Sequence, residues 1–91
     1  MAKIHVVRQA YEADVVALKV VDAREADLLV FVESGGARAI GDAHWFYAGK
    51  FQATTKLFWG GHRDAIALKV CFVKDESQAG WTKDHALRGH L

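Results

Sequence analysis

Apolar residues come in short bursts separated by polar turns, and the bursts recur at a nearly fixed interval. They run over Ile4–Val7, Val15–Val21, Leu28–Val32, Ala43–Tyr47, Thr54–Trp59 and Ile66–Val73, with a short seventh from Trp81. All are rich in Val, Ile, Phe, Tyr, Trp and Thr, which favour pleated backbone. None is long enough for a comfortable globular helix, so each predicts a strand. Val15–Val21 and Ile66–Val73 carry one charge each, Lys19 and Lys69. Such near-continuous apolar runs predict burial on both faces, with the lysines reaching solvent or blunting an edge.

The interval is set by a ladder of alanines: Ala13, Ala26, Ala39, Ala53, Ala65 and Ala79. A polar residue precedes each one: Glu12, Glu25, Arg38, Gln52, Asp64 and Gln78. Four positions before each alanine sit Gln9, Asp22, Gly35, Gly49, Gly61 and Asp75, mostly turn formers. Each unit of about 13 residues therefore reads as strand, tight turn, polar residue, alanine, next strand. The alanine is expected where the backbone passes another segment closely. The third unit departs most, because Ile40-Gly41-Asp42 reads as a longer connection.

The pattern predicts an all-β single domain over residues 1–91. The repeat fills residues 3–81, and the polar stretch 82–91 is expected as an exposed, partly ordered end. A small repeat-built β-barrel or a short β-solenoid would satisfy the periodicity. Absence of proline suits segments that pair along both edges, since proline has no N–H to donate.

Ninety-one residues leave room for one core and little room for a deep pocket. The net charge of +1 is spread without a basic stripe, which excludes ordinary nucleic-acid binding. No apolar run approaches the roughly 20 residues of a membrane span. Cys71 is the lone cysteine, which favours a reducing compartment. A soluble cytoplasmic monomer is the resulting expectation.

Candidate chemistry is sparse. The five histidines, His5, His44, His62, His85 and His90, show no zinc-ligand spacing. Glu12-Ala13-Asp14 and Glu25-Ala26-Asp27 repeat a carboxylate pair, read as a polar turn edge that bonds backbone amides. Ser34 and Ser77 lie in turns without a nucleophile motif, and Cys71 lies in an apolar run where a thiol is usually inert. Neither catalytic residue, metal nor cofactor is expected. The remaining hint is an aromatic patch of Trp45, Tyr47 and Trp59 with His62, which would stack on a glycan or a partner protein if exposed.

Two stretches are similar to a known family. Asp22-Ala23-Arg24-Glu25-Ala26-Asp27-Leu28 resembles the V-D-S-R-x-E-A-D-L unit of the septoil-knot family of small bacterial and phage proteins. Ser77-Gln78-Ala79-Gly80-Trp81 resembles its closing S-Q-A-G-W unit, and Trp45-Phe46-Tyr47 its central aromatic strand. The resemblance implies an all-β chain tied in a knot of seven crossings. It implies no activity, so a non-enzymatic structural or interaction protein is expected, with a small binding module as the alternative.

Overall fold

Seven strands form where the apolar bursts lie. They are β1 (Ala2–Val6), β2 (Val15–Lys19), β3 (Leu28–Val32), β4 (His44–Tyr47), β5 (Thr55–Trp59), β6 (Leu68–Phe72) and the short β7 (Gly80–Trp81). The structure, a computed structural model, describes residues 2–61 and 64–91. β3 coincides with its sequence-based bounds; the long runs at β2 and β6 are trimmed to five residues each by the turns that flank them.

The repeat has a concrete local cause. In every unit the turn residue's carbonyl accepts a hydrogen bond from the polar residue before the alanine. The six bonds are Glu12 to Gln9, Glu25 to Asp22, Arg38 to Gly35, Gln52 to Gly49, Asp64 to Gly61 and Gln78 to Asp75, all 3.0–3.1 Å. In four units the turn is a single 3-10 turn: Ala10–Glu12, Ala23–Glu25, Gly36–Arg38 and Glu76–Gln78. The alanine then ends that turn with its own N–H. Asp22 and Asp75 add a side-chain bond from the amide two residues on, the local competition that makes aspartate a turn former.

Six strands close into a parallel barrel. Around the ring the order is β1, β5, β2, β6, β3, β4 and back to β1. The chain moves two places forward at β1–β2, β2–β3, β4–β5 and β5–β6, and one place at β3–β4, always in the same sense. It thus makes one and a half circuits, and β4–β6 fill the gaps left by β1–β3.

Each parallel step must return along the outside, so connections cross the strand they skip. The 3-10 turn at Ala10–Glu12 lies against β5, and that at Glu76–Gln78 against β3. Gly60, in the connection that passes β2, has no room for a side chain: a Cβ there would come within 2.9 Å of Val16 Cγ1. The third connection takes five residues from Ala39 to His44 where the first two take two, and turns at Gly41 with φ 74°.

Register sorts the inward side chains into layers. Val6 pairs with Leu57, Val15 with Leu57, Lys19 with Val70, Leu28 with Val70, Val32 with Trp45 and Ala2 with Trp45. Every strand-to-strand step therefore slips two residues, one full in–out period, and all six strands contribute to each level. The lowest layer is Ala2, Val15, Leu28, Ala43, Thr55 and Leu68; the middle one is Ile4, Ala17, Val30, Trp45, Leu57 and Val70. Both layers are buried. Outward positions such as Leu18, Leu29 and Phe31 are half-buried beneath the returning connections. Lys19 and Lys69 therefore differ: Lys19 ends β2 on the inward phase, whereas Lys69 faces outward and is exposed.

The tail corrects the expectation of a loose end. Leu91 is buried and Leu87 packs against the same core. The Leu91 backbone oxygen accepts from the hydroxyls of Thr54 and Thr55 at 3.0 and 3.2 Å. Asp42, two residues before β4, accepts from the amides of Gly89 and Leu91 and from the Trp81 indole. Two leucines and a ring of satisfied polar groups thus plug the end where the strands begin. Most of the stretch is exposed, as expected, but its polar groups bond around an apolar plug that orders it.

Candidate functional site

The alanine ladder is structural scaffolding of unequal depth. Ala26 and Ala39 are fully buried, Ala13, Ala53 and Ala79 are half-buried, and Ala65 is exposed. The repeated carboxylates are equally structural. Asp14 Oδ2 accepts from the Lys56 amide at 2.9 Å and Asp27 Oδ2 from the Lys69 amide at 3.0 Å, while each aspartate's own N–H bonds the carbonyl of the same lysine. Each Glu-Ala-Asp unit thereby extends the ladder between neighbouring strands. Burial opposes ionisation of Asp27, but the Lys69 amide and the nearby Lys83 ammonium outweigh it and hold the carboxyl below its ordinary 3.8. Asp42 behaves alike: burial opposes its charge, and the Gly89, Trp81 and Leu91 donors lower it nonetheless.

Of the predicted aromatic patch, Tyr47 and part of Trp59 reach the surface, whereas Trp45 does not. Trp45 has 0% exposure and sits in the middle core layer. Trp45-Phe46-Tyr47 alternates in the strand, which sends Trp45 inward and Phe46 outward. Of the others, Trp59 is half-buried against the core and Tyr47 is 44% exposed. His62 lies outside the described residues.

A different arrangement stands at the ends of the strands. One step beyond the buried layers, the same inward phase brings together Val6, Lys19, Val32, Tyr47, Trp59 and Phe72. Among the described residues nothing covers this third layer as the tail covers the first: Val6 and Val32 are both 41% exposed. Its floor is an aromatic stack. Trp45 meets Phe72 edge-on at 5.9 Å and Trp59 at 6.2 Å, and Trp59 meets Phe72 at 5.8 Å. Lys19 Nζ lies 5.3 Å from the centre of the Phe72 ring, a cation–π contact. In the connections beyond β2 and β4, Val21 and Phe51 are each 98% exposed. The sequence held the signal: each third-layer residue lies six or seven positions upstream of a ladder alanine.

Charge is asymmetric as well. Arg8, Lys19, Lys50 and Lys74 stand at or next to this open mouth and form no ion pair among the described residues. The nearby Asp22 is tied to Arg24, whose side chain lowers its carboxyl, and Asp75 is tied to Ser77. A groove of about 860 Å³ runs from Val6 past Arg8, Tyr11, Lys50 and Lys56. The open end is therefore apolar in the middle, with Arg8, Lys19, Lys50 and Lys74 around it alongside the carboxylates of Glu12 and Asp75.

One further cluster lies on the outer wall where β3 meets β4. Glu33, 5% exposed, receives His44 Nδ1 at 3.0 Å, and Glu76 reaches the same nitrogen at 3.7 Å. His44 lowers the Glu33 carboxyl against the opposing effect of burial. Among the described residues no helix is long and apolar enough to cross a membrane.

Comparison with known proteins places the fold. The model of the 7(1) septoil knot domain matches residues 1–82, and the chain belongs to that family. The winding fits the description, since the chain circles the barrel repeatedly in one sense while passing over strands laid down in the other circuit. The match stops within the tail, so the plugging residues Leu87–Leu91 fall beyond it. No curated protein and no solved structure matches the chain.

Proposed function

We propose that this septoil knot barrel is a non-enzymatic interaction module that docks a partner protein on its open mouth. The observation that carries the reading is the exposed third layer, apolar and aromatic at one end of a barrel whose other end is plugged. Monomeric proteins seldom leave a contiguous apolar surface uncovered without a use for it. Parallel strands also favour this end, because ligands of parallel sheets and barrels gather at the carboxyl ends of the strands.

The shape argues for a macromolecule. Trp45, Trp59 and Phe72 pack on one another and fill the centre, so the mouth is shallow. Sugar recognition would call for aromatic faces free to stack, and these are spent on each other. The partner's chemistry follows from the surface: an apolar or aromatic side chain over Val6, Val32 and Tyr47, flanked by acidic residues facing Arg8, Lys19, Lys50 and Lys74.

The test is site-specific photo-crosslinking in the native host. A benzophenone side chain at position 32 marks the mouth, and one at Ala86 marks the plugged end. The reading expects a discrete protein adduct from position 32 that is absent from position 86. Identical patterns, or no adduct at position 32, reject it.

A further inference from the structure

We propose that Glu33, His44 and Glu76 form a binding site for a divalent first-row transition ion, with zinc as the reference case. Three separate segments deliver the donors. Glu33 follows β3, His44 opens β4, and Glu76 comes from the connection folded back over β3. One donor atom from each lies within 4.8 Å of the others.

The spacing admits an ion in place of the proton that now joins His44 to Glu33. Bonds of 2.0–2.1 Å from zinc to nitrogen and oxygen put tetrahedral donors about 3.4 Å apart. The two separations from His44 Nδ1, 3.0 and 3.7 Å, bracket that edge. A single Nδ1–H can point at only one of the two carboxylates. Glu76 has no other ion-pair partner among the described residues. A dication would serve both carboxylates and the neutral nitrogen together, and this donor set of one imidazole and two carboxylates suits zinc and its neighbours.

The site is half prepared. The Glu33 side chain is 3% exposed and held in place, whereas that of Glu76 is 57% exposed and free to close the last gap. A surface cavity of about 460 Å³ lined by Arg38, Ile40, His44 and Glu76 gives access and leaves a fourth position open. Arg38 beside that position favours water or a small anion there over another protein ligand. The cluster faces the outer wall and shares no residue with the mouth, so the proposal does not depend on the docking reading.

Calorimetric titration of the full chain with zinc chloride tests it. The expected result is one ion per chain, with affinity falling in acid because the ligands must be deprotonated. Glu76→Gln, at an exposed position that leaves the barrel intact, should weaken binding by more than about tenfold, the loss that even an outer-shell change causes at metal sites. His44→Ala should do the same. A His90→Ala variant, changed at an exposed tail position outside the cluster, should bind like the parent. Absence of one-to-one binding overturns the site. So does a Glu76→Gln variant that binds as the parent does, or a tail variant that loses the ion.

Discussion

The two ends of the barrel use the same repeat for opposite purposes. At the end where strands begin, Leu87 and Leu91 cover the first layer, and Asp42 gathers two amides and an indole around them. At the end where strands finish, Val6, Lys19, Val32, Tyr47, Trp59 and Phe72 form a layer in the same phase with no cover. The plugged end carries ion pairs among Asp27, Lys83, Asp84, His85 and Arg88, whereas at the open end Arg8, Lys19, Lys50 and Lys74 form no ion pair among the described residues. A closed, staggered barrel makes each level equivalent, so it does not by itself decide which end is a core and which is a surface. What lies over the level decides that.

The largest effect should separate the layers of one stack. Trp45→Ala empties a fully buried site and is expected to cost about 4 kcal/mol. Trp59→Ala, whose ring touches Trp45 from the half-open layer, should cost about 2 kcal/mol, because much of its surface is already near water. Urea unfolding of both variants checks the ranking. Equal losses would mean that the mouth is as well packed as the core, and the comparison between the ends would collapse.

Next comes the plug. Asp42→Ala leaves the Trp81 indole and two backbone amides without their acceptor, at an expected cost of about 3 kcal/mol. The charge gives this end a pH dependence. The Asp42 carboxyl is lowered in the folded chain, so its stabilisation is complete above the unfolded value of 3.8 and is lost as pH falls through the lower folded value. Protection of the Gly89 and Leu91 amides, relative to their intrinsic exchange at each pH, should therefore fall below about pH 4, ahead of amides in the barrel strands. Loss of protection at both places together would make the plug inseparable from the barrel.

Much of this architecture is legible in the chain. Strands, turn positions and the alanine register all follow from local physics: apolar bursts pleat, and the turn carbonyl needs a donor three residues on. The ring order is not local. Asp14 meets Lys56 and Asp27 meets Lys69, contacts that a repeat of near-identical units leaves degenerate, because any unit suits any neighbour. Trp45 was misread because three consecutive aromatics hide the alternation that buries one and exposes the next. The plug was hidden for another reason. Asp42 looks like an ordinary loop residue, and only the return of a distant segment gives it three donors. The proposed ion site was invisible because Glu33, His44 and Glu76 have no motif spacing and meet only through the winding.

The alanine ladder offers a contrast inside the repeat itself. Ala26→Leu forces a larger side chain into a site with no exposure and should cost about 2 kcal/mol by overpacking. Ala65→Leu makes the same change at an exposed site and should stay within about 0.5 kcal/mol. Urea midpoints for the pair decide whether the alanines are all required by close approach or only some of them.

The smallest change in stability should carry the largest change in function. Val32→Ser alters a mouth residue that is 41% exposed and makes no buried polar contact. Its effect on unfolding is expected to lie within about 0.5 kcal/mol, since little apolar surface returns to water. The same substitution removes an anchor from the middle of the open layer, where contacts count most in binding. A partner captured at the mouth should therefore dissociate faster from Val32→Ser, measured on the purified pair, while its association rate stays nearly constant because the surrounding cations are untouched. Lys19→Gln should do the reverse, slowing association and weakening its dependence on salt. If both variants alter the same rate, the mouth does not separate apolar anchoring from charge steering. If neither does, the open layer is simply an unfinished core.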